Sequence, residues 1–151
     1  MSDEWTDEDD AMAAAAGLQP NHPVWTVITF MSGLDDLERY REQMSMLVTP
    51  ESLPRWGDFT QIAEFIASIP DVGTGSRPNH PQGAPDVAYV KIMDHIEKSY
   101  IHQNEGRIIE VPAIATLVWS EEAGLWRLHD VGDYVEPEEL PRPNPGIAPS
   151  Y

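Results

Sequence analysis

Val87-Ala88-Tyr89-Val90-Lys91-Ile92-Met93-Asp94-His95-Ile96 is the stretch that decides the fold. It is rich in β-branched and aromatic residues, which suit a pleated, half-buried surface. Two runs of the same kind follow, Arg107 to Trp119 and Leu125 to Val135. Gln103-Asn104-Glu105-Gly106 and Glu121-Glu122-Ala123-Gly124 stand between them as turns. The three runs read as antiparallel strands, each long against the usual ~5–6 residues. Strands of this length curve, and the concave side of a curved sheet has to be filled.

The filler lies upstream. Pro23 suits the first position of a helix, and Val24, Val27, Ile28 and Met31 then share one helical face. Their β-branching also suits a strand, and the segment is read as a buried helix closed by Ser32-Gly33. Asp35 and Glu38 have capping-box spacing. Behind them Leu34, Leu37, Arg41, Met44 and Val48 form one stripe, which predicts an amphipathic helix from Asp36 to about Leu47. Asp58 and Gln61 repeat the capping pattern. Phe59, Ile62, Ala63, Ile66 and Ile69 give a third helix its apolar face, ending before Pro70. Pro70 to Pro85, broken by prolines and glycines, reads as a loop that leaves His80 exposed.

The rest of the chain is expected to be peripheral. Residues 1–21 are an acidic segment, with a short helix drawn from Asp7 to Ala16. Residues 137–151 are proline-rich and read as a disordered or extended tail. Residues 22–136 make the domain, and 151 residues suffice for one proper core.

Charge and composition exclude several functions. A net charge of −17 repels phosphate backbones and anionic membrane surfaces, so neither nucleic acid nor membrane is an expected partner. There is no cysteine, hence no disulfide, thiol nucleophile or thiolate metal site. The first residues have no basic start and no apolar stretch, and no apolar run approaches the ~18 residues of a membrane span. The expected location is the cytoplasm. No phosphate-binding loop, dinucleotide fingerprint or metalloprotease motif occurs, and the five histidines are scattered, so no cofactor and no metal are expected.

Helices first, a proline-glycine loop, then a curved antiparallel sheet is an α+β order. Three local patterns sharpen it: Phe30-Met31-Ser32-Gly33-Leu34-Asp35-Asp36-Leu37, Trp56-Gly57-Asp58-Phe59, and the hairpin Leu117-Val118-Trp119 to Gly124-Leu125-Trp126-Arg127-Leu128. Over about residues 22 to 136 the chain resembles the NTF2-like superfamily, the cone-shaped fold of SnoaL-type cyclases and ketosteroid-isomerase relatives. The resemblance implies helices inside a conical sheet, pairing into homodimers, and a cavity that some members use for catalysis. The chain departs from the family at Val48 to Arg55, where two prolines stand in place of a first strand.

Alternation then assigns faces. Ala88, Val90, Ile92, Asp94 and Ile96 share the more apolar face of the first strand, so Asp94 points inward. On the last strand Trp126, Leu128 and Asp130 share a face, which places Asp130 inward and Arg127 and His129 outward. Ala113, Ala115 and Leu117 share a face of the middle strand. Two carboxylates in an apolar cavity suit acid–base work, because burial favours the neutral carboxyl. The competing reading is structural: a bulge turns either Asp outward, or each accepts backbone or Arg hydrogen bonds. His95 and His129 are read as surface or interface residues. Trp25, Trp56 and Trp126, with Tyr40, are candidate walls of a ligand pocket or plain core.

Three functions follow. The first is a non-catalytic NTF2-like domain acting through a small hydrophobic ligand cavity or a homodimer. The second is a small isomerase, cyclase or dehydratase with Asp94 or Asp130 as base and Tyr40 as hydrogen-bond donor. The third is a protein-interaction module using the outer sheet face, where Tyr89, Met93 and Ile109 or Ile114 expose apolar surface.

Overall fold

The computed structural model describes residues 17–97 and 107–151. The expected helix over Asp7–Ala16 and the turn at Gln103–Gly106 lie outside these. Four helices come first: α1 Pro23–Leu34, α2 Leu37–Met46, α3 Leu53–Trp56 and α4 Thr60–Ala67. Four strands follow: β1 Val72–Thr74, β2 Val87–Glu97, β3 Arg107–Ser120 and β4 Leu125–Gly132. The strands form one antiparallel sheet in sequence order, curled into a half-barrel, with the helices against its concave side. The expected α+β class and the three antiparallel strands are therefore the architecture, the last strand ending at Gly132 and not at Val135. No described helix is long and apolar enough to cross a membrane.

The ambiguous Val24–Met31 segment is helical because its ends favour it. Pro23 occupies the first turn, and His22 Nδ1 accepts the Val24 N–H at 3.1 Å as an N-cap. Thr26 Oγ1 donates to the Trp126 carbonyl at 2.7 Å, fixing α1 to β4 inside the core. α1 runs one residue past Gly33, which lies so close to α2 that an added Cβ would meet the Met44 sulfur. Asp35, expected as the N-cap of α2, does not hold that position. Asp35 ends α1, and Asp36 is the N-cap of α2, without a side-chain cap bond. At α4 the N-cap is Phe59 and not Asp58, although Asp58 accepts the Thr60 N–H at 3.0 Å.

The core joins one face of each helix to the inner faces of the strands. Val24, Val27, Phe30, Met44, Phe59 and Ile66 meet Ala88, Val90, Ile92, Ala113, Ala115, Leu117, Trp126 and Leu128. The loop expected over Pro70–Pro85 contains β1, and Asn79 bridges to Tyr89. Both β1 and Asn79 pair with the outer edge of β2. His80 is exposed, and its Nδ1 bonds the Val87 carbonyl at 2.8 Å.

The chain after Val135 is extended apart from the short 3-10 turn Pro137–Glu139, and it runs over the outer face of the sheet. Leu140 packs with Ala84, Val87 and Val118 in a second small cluster. Tyr89 donates to the Val135 carbonyl at 2.7 Å, and its ring meets Tyr134 edge-on. Arg142 forks onto Asp86 with bonds of 2.8 and 2.7 Å, and the Gly146 N–H adds a third. The Asp86 side chain is wholly buried. Burial by itself would raise its carboxyl; the Arg142 and Gly146 hydrogen bonds outweigh burial and hold it below the usual carboxylate range.

Removing Arg142 would strand that charge. Arg142→Ala should lower the free energy of urea unfolding by about 3–5 kcal/mol, whereas Arg142→Lys should recover part of the loss. Because the folded Asp86 value is depressed, its stabilisation is complete above ~4 and is lost as pH falls through the folded value. An Arg142→Ala protein as stable as the parent would show that the C-terminal segment does not hold the outer face.

Candidate functional site

The site is made by an irregularity in β4. Leu117 pairs with Leu128, but Thr116 pairs with Asp130, so His129 is an extra residue in the ladder. The bulge shifts the alternation. His129, expected outside, is buried beside Leu128, and Asp130, expected inside, is half-exposed opposite Thr116. The reading of His129 as a surface residue is thereby corrected.

A hydrogen-bond chain fixes the His129 ring. Thr49 Oγ1 donates to Ser52 Oγ at 2.8 Å, so the 2.8 Å contact to His129 Nδ1 must be a bond from the ring N–H. The Nε2 lone pair then accepts from Arg55 Nη2 at 3.1 Å, and the same Nη2 donates to the His129 carbonyl at 3.0 Å. Ser52 donates to the Thr49 carbonyl at 2.9 Å and accepts the Trp56 indole N–H at 2.8 Å. His129 is thus a neutral imidazole with both nitrogens engaged. Burial, then the Arg55 charge, lowers its affinity for a proton, against smaller opposing effects of Asp130 and Glu51.

Arg55 also stands 3.8 Å from Asp130, across a half-exposed ion pair. Beside these groups lies a cavity of about 480 Å³ between α3, α4 and β4. Trp56, Ile62, Phe65, Pro112 and Val131 form its apolar wall; Arg55, His129 and Asp130 form its polar corner. Trp56 is held by Phe30 and Phe59, with ring centroids 5.4 and 6.1 Å away. Phe59 itself has φ +69°, a left-handed conformation that costs a bulky residue about 1–3 kcal/mol. Strain of this kind is stored beside the cavity mouth.

Of the six residues singled out from sequence, Trp56 and Asp130 line this cavity and Asp94, Tyr40, Trp25 and Trp126 do not. Asp94 is buried and accepts the Asp71 N–H at 3.1 Å, a structural bond that secures the approach to β1. It pairs with Glu110 whereas Asp130 pairs with Thr116, so about 20 Å of β3 separates their rows. The two carboxylates are not brought together. Trp126 is fully buried, its indole N–H bonded to the Asn21 carbonyl at 2.8 Å; Trp25 and Tyr40 pack on the core from the helices. Thr49, Ser52, Arg55 and His129 were missed. The sequence signal for them was weak: two hydroxyls and an Arg in a proline-broken connector.

Among the described residues no group of three His, Cys, Asp or Glu is placed to hold a metal ion. No family model, no curated protein and no solved structure matches this chain.

The network predicts a pH dependence. The unfolded His129 takes a proton near ~6.5 and the folded one only at lower pH, so stability is level above that value and falls as pH drops through it. His22, lowered by burial and then by His80, acts in the same direction. Thermal melts should therefore show a lower midpoint at about pH 5 than at about pH 7.5. His129→Asn should shrink that difference without abolishing it. A midpoint that rises on acidification would contradict the neutral, fully bonded imidazole.

Proposed function

We propose that the chain is a non-catalytic cone-type domain of the NTF2-like kind that binds a small, mainly apolar ligand at the mouth between α3, α4 and β4. The observation that carries this is the cavity of about 480 Å³ whose apolar wall faces one polar corner. Small-molecule sites have this composition and span ~300–1,000 Å³. The NTF2-like assignment is supported by helices filling a curled antiparallel sheet and by the break between α1 and α2 at Gly33 to Asp36.

The corner is suited to holding a polar group more than to transferring a proton. Both His129 nitrogens are engaged, and Asp130 already accepts the Val131 N–H and faces Arg55. The enzymatic reading retains Asp130 as its base, on the ground that this carboxylate borders the cavity; Asp94 has no part in it.

Pairing of two copies through the outer sheet face belongs to the same proposal. Its support is that Met93 and Ile114 are half-buried apolar residues outside the cluster around Leu140. Tyr89, by contrast, already serves the C-terminal segment, and the Ile109 side chain lies outside those described. Light scattering should return twice the 16.9 kDa chain mass; a single-chain mass removes the pairing and leaves the cavity untouched.

The cavity is tested with an anilinonaphthalene sulfonate dye, an apolar body with one charged group. One saturable site per chain is expected, with a change in tryptophan emission from Trp56. Phe65 is exposed at the rim, so Phe65→Glu should leave the melting temperature alone and weaken binding about tenfold or more. Unsaturable binding, or a Phe65→Glu protein that binds as well, would defeat the reading. Loss of dye binding in Asp130→Asn is not expected; conversion of a bound ligand that this variant abolishes would favour the enzyme instead.

A further inference from the structure

A second cavity, of about 560 Å³, opens where the Thr49–Glu51 segment, the turn after β3 and the Pro141–Asn144 segment meet. Arg127 of β4 reaches it from the outer face of the sheet, opposite Val118. Its Nε is buried and has no hydrogen-bond acceptor, and the guanidinium has no ion-pair partner among the described residues. A buried charged donor left in this state is costly, and its planar fork matches a carboxylate. Arg142 also borders the cavity, but its charge is neutralised by the two bonds to Asp86. Arg127 is therefore the cation with capacity to spare.

The rim carries the opposite sign. Glu51 and Glu122 both border the cavity. A simple anion approaching Arg127 meets these two carboxylates on a chain of net charge −17, and a simple amine meets Arg127. A molecule carrying both charges satisfies both. Val118, on the same face as Arg127, and Pro141 and Pro143 supply apolar lining.

We propose that this cavity binds a small amino-acid zwitterion, its carboxylate on Arg127, its ammonium towards Glu51 and Glu122, and an apolar side chain against Pro141 and Pro143. The site shares no lining residue with the mouth cavity, and its existence does not depend on the function proposed there.

The experiment is a backbone-amide NMR titration of the full chain with L-leucine, isocaproate and isopentylamine. These share the apolar body and carry both charges, the carboxylate alone and the ammonium alone. Leucine should give saturable shifts at Ser120, Arg127 and Asn144, with each single-charge analogue at least about tenfold weaker. Arg127→Gln should weaken leucine about tenfold or more while keeping a dispersed spectrum. Glu122→Gln, at an exposed position, should weaken leucine and leave isocaproate unchanged or tighter. The proposal is overturned if leucine gives no saturable shift up to about 20 mM. It is equally overturned if isocaproate binds as tightly as leucine, or if folded Arg127→Gln binds leucine like the parent.

Discussion

Leu128 is the residue on which the rest depends. Its N–H donates to the Leu47 carbonyl at 2.8 Å and its carbonyl accepts the Thr49 N–H at 2.9 Å. Its other side pairs with Leu117, and its side chain is fully buried. A free sheet edge is thereby closed by a short parallel crossing, which is one way natural sheets avoid unpaired edges. The same crossing anchors the end of α2 to the sheet. It also dictates what happens one residue later. With Leu128 held on both sides, the extra residue His129 is presented to the segment that Leu128 has just bound, and Thr49 Oγ1 receives its ring N–H. The polar corner of the mouth is a consequence of closing that edge.

Three of the few cations of this acidic chain are used structurally. Lys and Arg together number nine against 26 acids, so each base that is spent on a fixed partner matters. Arg142 is spent on the buried Asp86, Arg55 on His129, and the Arg41 Nε on the Asp58 carbonyl. A buried ion pair is seldom a large net gain, since desolvation consumes most of the attraction. What Asp86–Arg142 supplies is specificity of placement. It lays the proline-rich C-terminal segment across the outer face, where Leu140 alone would bury too little apolar surface to define a register. That the tail's composition resembles a disordered segment is then no contradiction: its order rests on specific polar contacts, among them the Arg142 fork on Asp86 and the Tyr89 hydroxyl donating to the Val135 carbonyl, more than on hydrophobicity.

The strands were legible because alternation is a local property. Ala88, Val90 and Ile92 are buried as their pattern required, and so are Ala113, Ala115 and Leu117. Alternation fails where a ladder gains a residue, and both failures fall at the residues of interest. β3 carries Val111-Pro112 opposite Met93, a place where a proline within a strand is tolerated. β4 carries His129. The proline could have signalled the first bulge; nothing in Leu128-His129-Asp130 signals the second, because the edge that fixes it comes from Leu47–Thr49, some eighty positions earlier. Likewise β1 is three residues long and exists only through its pairing with β2. Such elements are set by tertiary partners, not by their own propensity.

The Thr49–Trp56 segment separates the two cavities, and its rigidity decides how they relate. Thr49 to Glu51 border one, Arg55 and Trp56 the other. Between them the segment is tied by the Thr49 backbone N–H, by Thr49 and Ser52 hydroxyls bonded to one another, and by the Trp56 indole on Ser52. Energetic coupling between sites needs an element with two arrangements that both sites bias. A connector whose hydroxyls and Arg55 are satisfied by one another and by His129, and whose prolines at Pro50 and Pro54 fix its backbone further, offers a single arrangement. Occupancy of one cavity therefore leaves the affinity of the other unchanged, and substitutions at Arg127 and at Phe65 act additively, as separated sites without a shared partner do.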